Sequence, residues 1–163
     1  MAFLPCVGFC DYDVMQQVGS GVGCPLSGRY TYGEGVMNIW ILSSGLLGLF
    51  TSLVHVFAGQ VDPVRPFLKS ELEDIPKATL LACWHLVSVT LLASSIVLSY
   101  VGWYGLHEVY LSTRLIGILY TLFALVFVLV GWFFFGGKVF FKLPQWILLL
   151  PIGLLAVYGT MQV

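Results

Sequence analysis

Residues Thr113–Phe135 read TRLIGILYTLFALVFVLVGWFFF, and after Arg114 this stretch contains no charged side chain. Its length matches the ~20 residues that a helix needs to cross a hydrocarbon layer ~30 Å thick. Three further apolar runs of similar length are Val36–Ala58, Ala78–Gly102 and Leu143–Met161. Because the connections between the runs are short, they predict an all-α membrane protein, with four transmembrane helices in an antiparallel bundle over residues 36–163.

The composition excludes most soluble functions. Hydrophobic residues make up 59% of the chain and charged residues 9%, and the mean hydropathy is +0.95. No loop is long enough to bury a core of its own. The net charge of −1 gives no basic field for nucleic acid, and phosphate-binding, dinucleotide and zinc-protease motifs are absent from the sequence. We therefore predict no catalytic residues and no nucleic-acid partner.

Residues 1–35 form a separate segment rich in Gly, Tyr and turn residues. This composition predicts an irregular arm that lies on the membrane or on a neighbouring subunit, with a mobile tail as the alternative. The arm contains Cys6, Cys10 and Cys24. They allow one disulfide and one remaining thiol, or three free thiols, and the spacing does not fit a zinc site, so no metal is predicted.

Basic residues are unevenly distributed between the two sides of the predicted bundle. Five lie in the loops 59–77 and 136–142, namely Arg65, Lys69, Lys77, Lys138 and Lys142, whereas the other side has Arg29 and Arg114. The positive-inside rule then predicts that both termini lie outside, in an intermembrane space, lumen or periplasm.

Small and polar residues recur at helical spacing in the first two spans. Steps of about four place them on one stripe of each helix, which favours close helix packing in lipid. In the first span the stripe contains Ser44, Gly48, Ser52 and His55, and in the second it contains His85, Ser88, Ser95 and Ser99.

Two histidines within the spans, His55 and His85, are the main candidates for binding a cofactor. Ionisable residues in a span are costly, and they mark functional sites by default. The pair could ligate haem b, contact a quinone or relay protons, or each imidazole could simply bond a neighbouring helix. His55 is predicted ~5 Å and His85 ~11 Å from the inner boundary, an offset that disfavours haem. Arg65 near the same boundary suits a propionate, a lipid phosphate or a partner carboxylate, with a pair to Asp62 or Glu71 as the alternative.

Three prolines in the loop 59–77 predict a stiff, defined path between the first two spans. Ser70 and Glu73 fit a capping box that would start a short surface helix. Asp74 would then cap the second span, where an acidic side chain is favourable.

The segments His55-Val-Phe-Ala-Gly, Arg65-Pro-Phe-Leu and Lys77-Ala-Thr-Leu-Leu-Ala-Cys-Trp-His85 resemble small, uncharacterised four-helix inner-membrane proteins of bacteria. The resemblance covers the first two helices and their loop. It implies a four-helix architecture in a bacterial or organellar membrane but no reaction, and it emphasises Trp84 in addition to the candidate residues.

The small size, the arm and the packing stripes together predict a non-catalytic accessory subunit of a multi-subunit complex. Its location would be an energy-transducing membrane (respiratory chain, ATP synthase or photosynthetic), with the mitochondrial inner membrane as the leading expectation. The expected partners are bilayer lipid and other membrane subunits. The alternative is a small redox protein that binds haem b or a quinone through His55 and His85.

Overall fold

A computed structural model describes residues 36–162, and every regular element in this range is helical. The all-α prediction is therefore confirmed for the described part of the chain. The α-helices are α1 (Ile39–Gly59), α2 (Arg65–Leu68), α3 (Asp74–Tyr104), α4 (Tyr110–Phe135), α5 (Val139–Lys142) and α6 (Trp146–Gly159). One π-helical turn joins α1 to α2 (Gln60–Val64), and 3-10 turns precede α4 (His107–Val109) and α5 (Gly136–Lys138).

Three continuous helical segments are long and apolar enough to cross a membrane: Ile39–Leu68, Asp74–Tyr104 and His107–Lys142. These segments are consistent with an integral membrane protein. The fourth apolar helix, α6, has only 14 residues, or about 21 Å at 1.5 Å per residue. It begins later than the predicted run because Leu143 precedes Pro144, which disfavours the helical region, and its backbone is non-helical, with φ −127° and ψ 75°.

The segment after Gly59 differs from the predicted loop. The chain stays helical to Leu68 because the π-helical turn accommodates Pro63, whose missing N–H interrupts the regular α-helical bonding. The capping box predicted at Ser70 and Glu73 is wrong: the short helix α2 precedes Ser70, and Ser70 Oγ donates to the carbonyl of Phe67. Glu73 is the extended N-cap of α3 and makes no side-chain capping bond.

Three helix pairs provide most of the packing: α3 on α1, α1 on α6, and α6 on α4. Each of these pairs is antiparallel. The start of α1 meets the ends of α3 and α6, since the Asn38 N–H donates to the Gly102 carbonyl at 2.8 Å and Asn38 Nδ2 to the Gly159 carbonyl at 2.8 Å. The start of α4 meets the end of α6, since Arg114 Nε donates to Thr160 Oγ1 at 3.1 Å. By contrast, α3 and α4 make only a small contact.

The close approach of α1 to α3 depends on glycine. A Cβ placed on Gly45 would overlap the backbone of Ser99, and one placed on Gly48 would overlap the side chain of Ser95. Ser44 is also fully buried and donates to the Ile152 carbonyl of α6 at 2.7 Å. The predicted packing stripe is therefore confirmed at Ser44 and Gly48, where it forms two interfaces.

Asn38 joins the ends of four helices, in a cluster that we call the Asn38 junction (Asn38, Gly102, Tyr110 and Gly159). Its Oδ1 accepts from the backbone N–H groups of Trp40 and Ile41 and so caps α1. Its Nδ2 donates to Tyr110 Oη at 3.2 Å as well as to Gly159. One side chain thus pairs backbone groups at the helix ends that would otherwise be unsatisfied. Such groups are costly to leave unpaired in apolar surroundings.

Candidate functional site

His55 stacks on Trp84, so that the first candidate residue is held between α1 and α3. The ring centroids are 3.9 Å apart and the ring planes are inclined by 15°. The indole fits here because residue 59 is glycine: a Cβ at Gly59 would overlap the six-membered ring of Trp84. The imidazole therefore has a fixed plane and one covered face.

The other two candidates lie away from this stack. His85 follows Trp84 by one residue, which turns it about 100° around α3, and its side chain is exposed. Arg65 is also exposed, at the start of α2, ten residues beyond His55. The structure thus pairs His55 with Trp84, the residue before His85, which the sequence indicates only through the family resemblance.

A cavity of about 200 Å³ lies beside His55 and is bordered by all four apolar helices. We call it the His55 cavity. Its wall is almost entirely apolar, and the polar side chains in it are His55, Thr51 and Gln145. The other wall residues are Val54, Val87, Leu91, Phe123, Val126, Phe127, Leu148 and Leu149.

Tyr120 bridges α4 to α3 beside two residues of the cavity wall. Its hydroxyl lies 2.9 Å from Ser94 Oγ and 3.3 Å from Ser95 Oγ, and it is almost fully buried. Leu91 and Phe123, which border the cavity, lie close to this bridge: the Tyr120 hydroxyl is 3.4 Å from the Leu91 carbonyl oxygen, and the ring centroids of Tyr120 and Phe123 are 6.4 Å apart. Apart from this bridge, α3 and α4 make only a small contact.

One ring nitrogen of His55 is buried without a hydrogen bond. His55 Nε2 has no partner among the described residues, and the same holds for Nε1 of Trp146, at the start of α6 next to Gln145. The Thr51 hydroxyl is already used, since it donates to the Leu47 carbonyl at 2.8 Å. A buried polar atom without a partner costs about 1–3 kcal/mol.

The helical extension places His55 deeper than the sequence predicted. Along the chain, the next charged residue after His55 is Asp62, seven residues away, and Trp84 lies seven residues from Lys77. At 1.5 Å per residue both distances are about 10 Å. The stack therefore lies well below the level at which charged side chains mark the membrane boundary.

The described residues contain no cluster of three or more His, Cys, Asp or Glu side chains that could hold a metal ion. The cysteines of the predicted disulfide, Cys6, Cys10 and Cys24, lie outside the described residues, as does the arm 1–35. Cys83 is a free, exposed thiol on α3.

Sequence reasoning missed most of the cavity wall. Phe123, Phe127 and Gln145 had no polar pattern or motif that distinguished them from anchoring or packing residues. Thr51 precedes Ser52 by one position, so it lies about 100° around α1 from the packing stripe and does not belong to that pattern. The available signal was the aromatic pair at spacing four on α4, Phe123 and Phe127, which predicts one shared helix face.

Comparisons of the chain with protein-family models, with curated proteins and with solved structures find no match.

Proposed function

We propose that the protein is a non-catalytic accessory subunit of a multi-subunit complex in an energy-transducing membrane. The observation that carries this proposal is the large apolar surface that the helices leave uncovered. Only 11% of the residues in the most apolar 18-residue stretch of Asp74–Tyr104 are buried, and only 17% of those in the corresponding stretch of His107–Lys142. A shallow groove between α1 and α3, bordered by Leu46, Tyr100 and Trp103 among others, suits an apolar helix of a neighbouring subunit.

We further propose that α6 crosses the membrane as a fourth span, with both termini outside. Its 14 residues would be supplemented by flanking turns and by local thinning of the bilayer, which costs fractions of a kcal/mol per Å of mismatch. The orientation rests on the five basic residues of the segments 59–77 and 136–142. The mitochondrial inner membrane is the leading location, and the arm 1–35 would lie over a neighbouring subunit.

The native mass after gentle digitonin extraction tests the accessory role. We expect the protein to migrate with a large respiratory, photosynthetic or ATP-synthase assembly, and mass spectrometry of that band then identifies the partners. Migration as a small free particle, in membranes solubilised so that known complexes stay intact, would refute the proposal.

The alternative of haem b held between His55 and His85 receives no support from the geometry. Trp84 covers one face of the His55 ring, and His85 is exposed on α3, whereas a bis-imidazole haem needs both rings directed at one iron. A Soret band that shifts on reduction with dithionite, in freshly purified protein, would reinstate this alternative.

A further inference from the structure

We propose that the His55 cavity binds the head group of a membrane-dissolved quinone, with the His55 imidazole donating a hydrogen bond to one ring carbonyl. This inference rests on the cavity and does not depend on the accessory role. The site consists of His55 with Trp84 on one side and the apolar wall on the other, including Phe123 and Phe127 of α4.

The size of the cavity selects a small ring. Its volume of about 200 Å³ exceeds the ~150 Å³ of an engineered apolar cavity that holds benzene. It lies below the ~300 Å³ at which sites for larger ligands begin. A single six-membered ring with small substituents therefore fits, whereas a tetrapyrrole does not.

The chemistry of the wall selects a ring with hydrogen-bond acceptors. The wall is apolar apart from three side chains, and one of these is the His55 imidazole. A neutral imidazole has one N–H donor, and a quinone has carbonyl acceptors on an otherwise apolar ring. A quinone thus offers an acceptor to the imidazole and adds no unpaired donor of its own.

The depth of His55 distinguishes a quinone from a phospholipid. The His55–Trp84 stack lies about 10 Å along the helices from Asp62 and Lys77. Phospholipid ester carbonyls stay in the polar interfacial layer outside the hydrocarbon core, so a lipid could place only its acyl chain beside His55. A quinone ring moves freely at this depth and brings its carbonyl with it.

Entry from the bilayer is possible because part of the rim is open. Val54, Val87 and Val126 all border the cavity and are at least 36% exposed. They belong to α1, α3 and α4. A ring can therefore enter sideways between α3 and α4 while its isoprenoid tail stays in lipid.

Tryptophan fluorescence of the purified full-length protein in lipid nanodiscs tests the proposal. Quinones quench indole emission, and Trp84 lies against His55. A short-chain ubiquinone analogue is the probe, and a phospholipid brominated on its acyl chain is the comparison. We expect saturable quenching by the quinone in the wild type, in addition to the linear quenching caused by probe dissolved in the bilayer.

Two variants and one matched control locate the site. Val87→Phe fills the cavity, and we expect it to raise the half-saturating quinone concentration at least about tenfold, equivalent to about 1.4 kcal/mol. His55→Phe keeps an aromatic ring on Trp84 but removes the donor, and we expect about a threefold to tenfold increase. Val89→Phe makes the same change on the exposed side of α3, outside the cavity wall, and should leave the concentration unchanged.

Several results would overturn the proposal. These are quenching by the quinone that never saturates in the wild type, equal effects of Val87→Phe and Val89→Phe, or saturable quenching by the brominated lipid alone. The last result would assign the cavity to an acyl chain. The wild-type saturation curve decides the question even if a variant fails to fold. The native-mass experiment tests the accessory role independently of quinone binding, so either proposal can fail without deciding the other.

Discussion

Asn38 shows how one polar side chain serves the backbone in an apolar surrounding. Each of its polar side-chain atoms has a partner: Oδ1 accepts from backbone N–H groups in the first turn of α1, and Nδ2 donates to the Gly159 carbonyl and the Tyr110 hydroxyl. His55 is the opposite case, because its Nε2 is buried without a partner among the described residues. We therefore expect truncation of Asn38 to destabilise the fold and truncation of His55 to weaken ligand binding.

The change Asn38→Ala removes both the helix cap and the donor to Gly159. We expect the free energy of unfolding to fall by about 1–3 kcal/mol, from the lost cap and the carbonyl left unpaired. Titration with sodium dodecyl sulfate, followed by circular dichroism, measures the change. Ser112→Ala, on the exposed side of α4, is the control, and a midpoint for Asn38→Ala equal to that of this control would contradict the role of the junction.

At the scale of the helices, the contact of α1 with α3 is determined by backbone approach. Gly45 and Gly48 lie against Ser99 and Ser95, so at these positions only small serine side chains lie between the two helix backbones. In lipid, where water does not drive apolar side chains together, such close van der Waals contact is a principal source of helix association.

The change Gly48→Leu tests this contact. A side chain at Gly48 would overlap Ser95, and we expect a loss of at least about 1–3 kcal/mol in the free energy of unfolding, because the core must separate to admit it. The same detergent titration measures the loss. Gly137→Leu is the matched control, since a Cβ there meets nothing within 4 Å. If both variants unfold alike, α1 and α3 are not held together by this approach.

The helices and the packing stripe could be predicted because their signals are local. A run of apolar residues or a step of four small ones reports its own helix, whatever surrounds it. The continuation past Gly59 was not predictable, since Pro63 normally indicates a break and only the π-helical turn shows how it is accommodated. Which residue of the pair Trp84 and His85 faces α1 depends on the rotation of α3. The contacts of Gly48 and Gly45 with Ser95 and Ser99 of α3 determine that rotation.

The His55 cavity lay further beyond sequence reasoning. It is bordered by residues from four helices that are distant in the chain, such as Thr51, Phe127 and Gln145. Two of these helices, α3 and α4, make only a small contact with each other. A void between helices leaves no pattern in any one of them, so the sequence could indicate His55 but not the space beside it.

At the scale of the whole molecule, the antiparallel order places alternate connections at opposite ends. The turn His107–Val109 lies at the end that holds the Asn38 junction, and Gly136–Lys138 follows at the far end of α4. Thr160 returns to the first end, where Arg114 donates to its carbonyl at 3.1 Å. This order determines which positions should be accessible from the same side of a membrane.

Single cysteines in sealed vesicles test this order and the fourth crossing. With the four native cysteines replaced, we expect Glu108→Cys and Gln162→Cys to react with an impermeant maleimide from one side, and Lys138→Cys from the other. Cys83 kept as the sole native thiol is the control, because its position within α3 should protect it from both sides. Reaction of Gln162→Cys and Lys138→Cys from the same side would show that α6 does not cross.

The Asn38 junction also has a consequence for synthesis of the protein. Gly159 follows Asn38 by 121 residues, which a ribosome adds in roughly 6–24 s at 5–20 residues per second. During that interval the Asn38 amide lacks one of its two acceptors, because Gly159 has not yet been made. We therefore expect chains truncated before Gly159 to be degraded faster than the full chain in a pulse–chase experiment, and equal half-lives would contradict this dependence on the last helix.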